Sequence, residues 1–184
     1  MSSSRAEALA LASVLAASIL TAPPAFAGFR VDVAYVDPNG SNVSTTGTNA
    51  AFVFHRRTLY RNPKGPDGER FHDEEIRLDS FSFQGHRISF QKLREVRFER
   101  RPRGDHDELV VVLELVTGER LERKGSDLDG SEHPTSPSLE FRTPGGPVAL
   151  PIDPLIGAAA RAGRPALSRV SFPDNPDHRP ARRR

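Results

Sequence analysis

Apolar and polar residues alternate along most of this chain, the period expected where a strand turns one side to a core and the other to water. Phe29, Val31, Val33 and Tyr35 form one such run, and Phe52 with Phe54 marks a second. Ile88 with Phe90 and Val96 with Phe98 add two more, flanking a short connection at Leu93. Leu139 with Phe141, Val148 with Leu150 and Ile152, and Val170 with Phe172 carry the pattern towards the C-terminus. The strongest run is 109–116, where Leu109, Val111, Leu113 and Leu115 share a face while Val110 and Val112 make the other face apolar too. A strand apolar on both sides is expected at the centre of the fold, covered twice. Thr117-Gly118 then predicts a tight turn, because glycine accepts positive φ without steric cost, and 119–123 a polar edge strand running back.

About nine or ten short strands follow from this pattern, which predicts an all-β fold: an antiparallel β-sandwich or partly open barrel. One short helix is expected at 153–163. Asp153 can cap its first amides, Pro154 suits its first turn, three alanines fill its body and Gly163 stops it. The proline- and glycine-rich stretches 62–68 and 125–137 read as mobile surface loops. A faint repeat accompanies this layout. Phe83-x-Gly85-x-x-Ile88-x-Phe90 followed by Leu93-x-x-Val96-x-Phe98 resembles Phe141 through Gly145 to Val148-x-Leu150 followed by Leu167-x-x-Val170-x-Phe172. Each copy would be a hairpin, a short link and a returning strand, and two such units could face one another across a shared core.

The first 27 residues break the alternation and set the compartment. Arg5 gives a positive start, 8–22 is an almost uncharged run of Ala, Leu, Val and Ile, and Ala25-Phe26-Ala27 has the small-x-small form that a signal peptidase requires. Cleavage is expected between Ala27 and Gly28, leaving a single β-domain at 28–173 and a disordered basic tail at 174–184. With the leader removed, no integral membrane span is expected. The chain has no cysteine, so it has neither disulfides nor a lipid anchor on a cysteine, which suits a bacterial periplasmic or secreted protein better than a small stapled eukaryotic domain.

Charge adds little to this picture. The formal net charge is +2, and the tail accounts for it, with Arg179, Arg182, Arg183 and Arg184 against Asp174 and Asp177. The basic stretch 87–103 lies between two acidic ones, 67–79 and 105–132, and adjacent strands would set these charges side by side as cross-strand pairs. Phe90 and Phe98 alternate with the arginines and should point into the core. That leaves no stacking platform for bases, so no nucleic-acid partner is expected.

Candidate chemistry is sparse. The loop Asp127-Leu128-Asp129-Gly130 sets alternating carboxylates before a glycine turn, as calcium loops do, and makes Asp127 and Asp129 the candidate metal ligands. If Gly130 is the turn glycine, Gly125 and Ser136 fall where two further oxygen ligands should stand. The six histidines are scattered singly, and those at His72-Asp73-Glu74-Glu75 and Asp105-His106-Asp107-Glu108 read as solvated loop residues leading into strands. Neither a Gly-x-Ser-x-Gly elbow nor a glycine-rich phosphate loop is present. No catalytic residue and no cofactor are assigned. The reading that results is an exported, non-catalytic accessory or interaction module of the bacterial cell envelope, with an envelope protein or surface polymer as partner. The alternative is a calcium-binding or hydrolytic domain that uses the 125–137 loop.

Overall fold

The computed structural model describes residues 28–61, 69–104, 106–153 and 164–176, and for Tyr60, Arg61, Glu69, Arg70 and His106 the backbone alone. The strands are β1 (Val31–Val36), β2 (Asn42–Arg61), β3 (Glu69–Leu78), β4 (Ser80–Phe83), β5 (His86–Ser89), β6 (Leu93–Arg103), β7 (His106–Leu115), β8 (Arg120–Lys124), β9 (Ser138–Thr143), β10 (Gly146–Pro151) and β11 (Ala166–Ser171). Every pairing between them is antiparallel. Neighbours run β10-β9-β2-β1-β11-β6-β7-β8, with β3 added on β2, and the sheet does not close into a barrel. The all-β, sandwich-like fold read from the alternation is therefore present. The helix expected at 153–163 falls, apart from Asp153, outside the described residues.

One long strand makes two layers out of this sheet. Residues 42–47 of β2 pair with β1, and from Thr48 onward β2 pairs with β9 and then β3. The change of partner coincides with a register shift between Thr48 and Ala51 and with a positive φ of 56° at Asn49. A bulge of this kind bends a strand and raises its twist, so that β2 can leave one layer and enter the other.

Between the layers lies a core rich in phenylalanine. Phe52, Phe81, Phe90 and Phe141 are at most 2 % exposed, and Phe29, Phe54, Phe98 and Phe172 close around them with ring centroids 5.1 to 6.4 Å apart. Burying each such side chain contributes about 1.5–3 kcal/mol before entropy is counted. The two repeat-like segments meet in this core, because β6 and β11 pair with Val96 directly opposite Val170.

The doubly apolar strand is not central. β7 lies one strand in from the edge formed by β8, yet Val110 and Val112 on its outward face are 8 % and 1 % exposed. Val112 stands between Arg97 and Glu122, and Val110 between Glu99 and Lys124. The cross-strand neighbours on that face are thus charged side chains, whose aliphatic stems can lie along the valines. Their heads pair with one another: Arg101 with Glu99 and Glu122, Arg97 with Glu95, Arg103 with Glu108, Arg120 with Glu122. Arg101 and Arg103 of the basic stretch thus meet Glu122 and Glu108 of the acidic stretch that follows it, while Arg97 is drawn to Glu95 within the stretch itself. Glu122 is held below the usual carboxylate range by its hydrogen bond from Arg101, and Arg101 is raised by Glu122 and Glu99.

Two boundaries move. The loop 125–137 is tied to the core by Leu128, which is 2 % exposed and bridges Phe83 of β4. Asp174 to Pro176, placed in a disordered tail by composition, follows the fold, with Asn175 Nδ2 donating to the carbonyls of Phe90 and Leu93. The rest of the tail, 177–184, lies outside the described residues, as do the leader 1–27 and the loop 62–68. Among the described residues, no helix is long and apolar enough to cross a membrane.

Candidate functional site

β9 stops at Ser138, opposite Val53, so from Phe54 onward β3 is the one strand paired with β2 among the described residues. This two-stranded ribbon runs from the Phe54–Ile76 pair out to Arg61–Glu69. Alternation puts Phe54, Arg56 and Thr58 on one side of β2 and Val53, His55, Arg57 and Leu59 on the other. Far along the ribbon Leu59 and Phe71 lie opposite one another, 41 % and 63 % exposed, the large hydrophobic side chains left open among the described residues. The guanidinium of Arg57 sits 5.4 Å from the Phe71 ring centroid.

The sequence reading placed His72 to Glu75 in a loop, but they lie in β3. The apolar signal there is broken, since Ile76 and Leu78 face the core whereas Phe71 is on the other side, and four acids fill the rest. Period two is invisible when so few positions carry it.

Against the base of the ribbon packs the 125–137 loop. A 3-10 turn at Gly125–Asp127 leads to Leu128, and Gly130, at φ +79°, brings its backbone against Phe54. Both candidate metal ligands point back to the β4–β5 hairpin. Its two-residue turn, Gln84-Gly85, has φ of 49° and 83°, the doubly left-handed form that suits hairpin twist. Asp129 accepts from the Ser82 hydroxyl and from the Gly85 amide at 3.2 Å, while Asp127 accepts from Gln84 Nε2 at 3.1 Å. Main-chain bonds from Gln84 to Asp127 and from Asp129 to Ser82 complete the tie. Among the described residues no group of three histidine, aspartate or glutamate side chains is arranged to hold a metal ion.

The loop also brings together two histidines that are remote in sequence. His133 stacks on His55, with centroids 5.4 Å apart and planes 22° from parallel. Thr135 donates its amide to His133 Nδ1 at 3.3 Å, and its hydroxyl lies 2.8 Å from the same nitrogen. Nδ1 is therefore an acceptor, and in the neutral ring the proton sits on Nε2, which faces Asp73 Oδ1 at 3.7 Å. Asp73 is itself clamped by Arg57, whose Nε and Nη2 reach its two oxygens at 2.8 and 3.0 Å. That fork holds the Asp73 carboxyl down at about 2, first through the hydrogen bond and then through the charge of Arg57. It raises Arg57 in return. Beside this constellation opens a cleft of about 490 Å³ lined by His55, Arg57, Gln84, Asp127, Glu132 and His133.

Sequence reasoning named Asp127 and Asp129 as candidate metal ligands of the loop, and both line this cleft or its hairpin tie, but it did not single out His55, His133, Asp73 or Arg57. His55 was legible as the outward neighbour of Phe54. Nothing local in the sequence says that the later loop folds back over it. His72 and His86 stand apart on exposed positions, and Ala27 lies outside the described residues while Gly28 is the first of them. Comparison with protein-family profiles, with curated proteins and with solved structures found no match.

Proposed function

We propose that the protein is an exported, non-catalytic interaction module of the bacterial cell envelope, which engages a partner through the β2–β3 ribbon and the cleft at its base. The observation that carries this reading is the Leu59–Phe71 pair. As a cross-strand pair the two side chains support the ribbon only modestly while both remain largely in water, and a partner that covers them would gain the burial of both. Arg57 and the polar cleft beside the pair supply the rim that such contacts use. The leader-like stretch ending at Ala27 supports an encounter outside the cytosol.

Two measurements test the proposal. Fractionation with N-terminal sequencing is expected to find the chain outside the cytosol and starting at Gly28; a cytosolic protein with its leader intact refutes the compartment. A photo-crosslinking residue at position 71 is expected to trap one defined adduct in cells, lost on Leu59→Ser. Absence of any adduct, or one indifferent to Leu59, refutes the ribbon as the contact.

A hydrolytic reading has one observation in its favour, the chain Thr135 Oγ1, His133, Asp73, which joins a hydroxyl to an imidazole and the imidazole to a carboxylate. The Arg57 clamp weakens it, because a carboxylate already neutralised by a guanidinium gives little support to an imidazolium. Ester hydrolysis that disappears in His133→Ala would favour it over the binding role.

A further inference from the structure

The outward face of the strands β2, β1 and β11 carries a groove whose two arginines differ from most of those on the neighbouring strands β6 to β8. There, Arg94, Arg97, Arg101, Arg103 and Arg120 each meet a glutamate. Arg30 and Arg169, by contrast, have no ion pair or side-chain hydrogen bond among the described residues, and both are exposed. Arg169 even stands directly opposite Arg97, a like-charge pair that costs stability when nothing lies between. Arg97 is drawn to Glu95 at 3.5 Å, which leaves Arg169 alone.

Arg30 and Arg169 line the same groove, of about 370 Å³, together with Asp32, Ser44, Thr46 and neighbouring backbone. Register puts Ser44 and Arg169 on either side of Ala34, and Thr46 and Ser171 on either side of Asp32. Asp32 sits between the two cations along the strand and accepts from the Thr46 hydroxyl at 2.8 Å through one oxygen, Oδ1. Ser168 is spent on the carbonyl of Ala34. The order along the groove is thus cation, carboxylate with hydroxyls, cation. No aromatic side chain lines it.

We propose that this groove binds an acidic polysaccharide, with successive carboxylates on Arg30 and Arg169 and a sugar hydroxyl donating to Asp32. Guanidinium is suited to a planar carboxylate, which it can grip through two parallel hydrogen bonds. The central Asp32 selects among polyanions. A polymer of phosphates or sulfates without free hydroxyls meets only repulsion there, and nucleic-acid bases would find no ring to stack on. A chain of uronic acids offers both the anions and the hydroxyl donors in alternation. This inference takes from the proposed function only its setting outside the cytosol; the groove is a site separate from the ribbon.

The test uses the chain from Gly28 onward and polygalacturonate as probe, with dextran and double-stranded DNA as comparison polymers. Binding to polygalacturonate is expected, weakened about tenfold by Arg169→Gln and again by Arg30→Gln, and unaffected by Arg120→Gln, whose head is paired with Glu122 on the same sheet. Asp32→Asn decides the mechanism. Hydroxyl recognition predicts weaker binding, whereas attraction by charge alone predicts tighter binding once the repelling carboxylate is gone. Tighter or unchanged binding in Asp32→Asn, equal affinity for DNA, or an equal loss in Arg120→Gln overturns the proposal. Crosslinking from position 71 should persist in the groove variants, so failure here is distinguishable from failure of the ribbon.

Discussion

Val96 of β6 stands directly opposite Val170 of β11, and neither is exposed to solvent at all. On its other side Val96 faces Leu113 of β7, and Val170 faces Val33 of β1, so that one apolar row crosses four strands. The two valines occupy the same place in the two repeat-like segments, and the antiparallel pair joins those segments at matching positions. Val96 with Val170 is where both halves of the core become one.

Leu113 is the largest member of that row and fully buried, so Leu113→Ala should cost about 2–5 kcal/mol in urea unfolding, the range for truncating a leucine in a core that cannot collapse. A loss below about 0.5 kcal/mol, the usual size of a surface effect, would mean that β7 does not pack as described.

Gly130→Ala should destabilise by about 1–3 kcal/mol, because the new methyl meets Phe54 Cβ at 2.7 Å on a backbone held at φ +79°. Faster amide exchange confined to 126–136 would accompany it. An alanine variant as stable as the parent would show that the loop does not rest on Phe54.

Asp73 ties the ribbon to acid stability. Its folded value of about 2 lies below the ordinary 3.8, so the Arg57–Asp73 fork supports the fold fully above the ordinary value and is lost as pH falls through about 2. A carboxylate titration followed by NMR should therefore place Asp73 near 2 in the parent and move it upward in Arg57→Gln. An unchanged midpoint in that variant would remove Arg57 as the cause. Both side chains are solvent-facing, and added salt should narrow the difference.

The acidic loop gives a prediction about metal. Asp129 is occupied by Ser82 and Gly85, and Asp127 by Gln84, so millimolar calcium should leave the melting temperature unchanged. Asp129→Ala should instead lower stability by about 1.5–3 kcal/mol through loss of hydrogen bonds to a charged acceptor. A selective, saturable rise with calcium would reinstate the loop as a cation site.

The alternation of apolar positions in β1, β6, β9 and β11 was enough to read the fold class, because a half-buried strand must repeat every second residue whatever it pairs with. The 106–115 segment marks the boundary of that logic. Its two apolar faces imply that both are covered, but composition along one strand does not say by what, and the cross-strand neighbours of the outward valines are the charged residues Arg97, Glu99, Glu122 and Lys124. β3 was missed for the converse reason, since its neighbours on β2 carry the burial and leave its own sequence free to be charged.

Sequence by itself determined the strand-forming period, the absence of disulfides and the balance of charge, all of which follow from residue identity within a few positions. Only the tertiary structure decided that His55 meets His133, that Asp127 and Asp129 fasten a hairpin, and that Arg30 and Arg169 line one groove. Those relations join residues far apart along the chain, and what brings them together is the packing of the 125–137 loop on the β4–β5 hairpin and the register of the sheet, which no local pattern encodes.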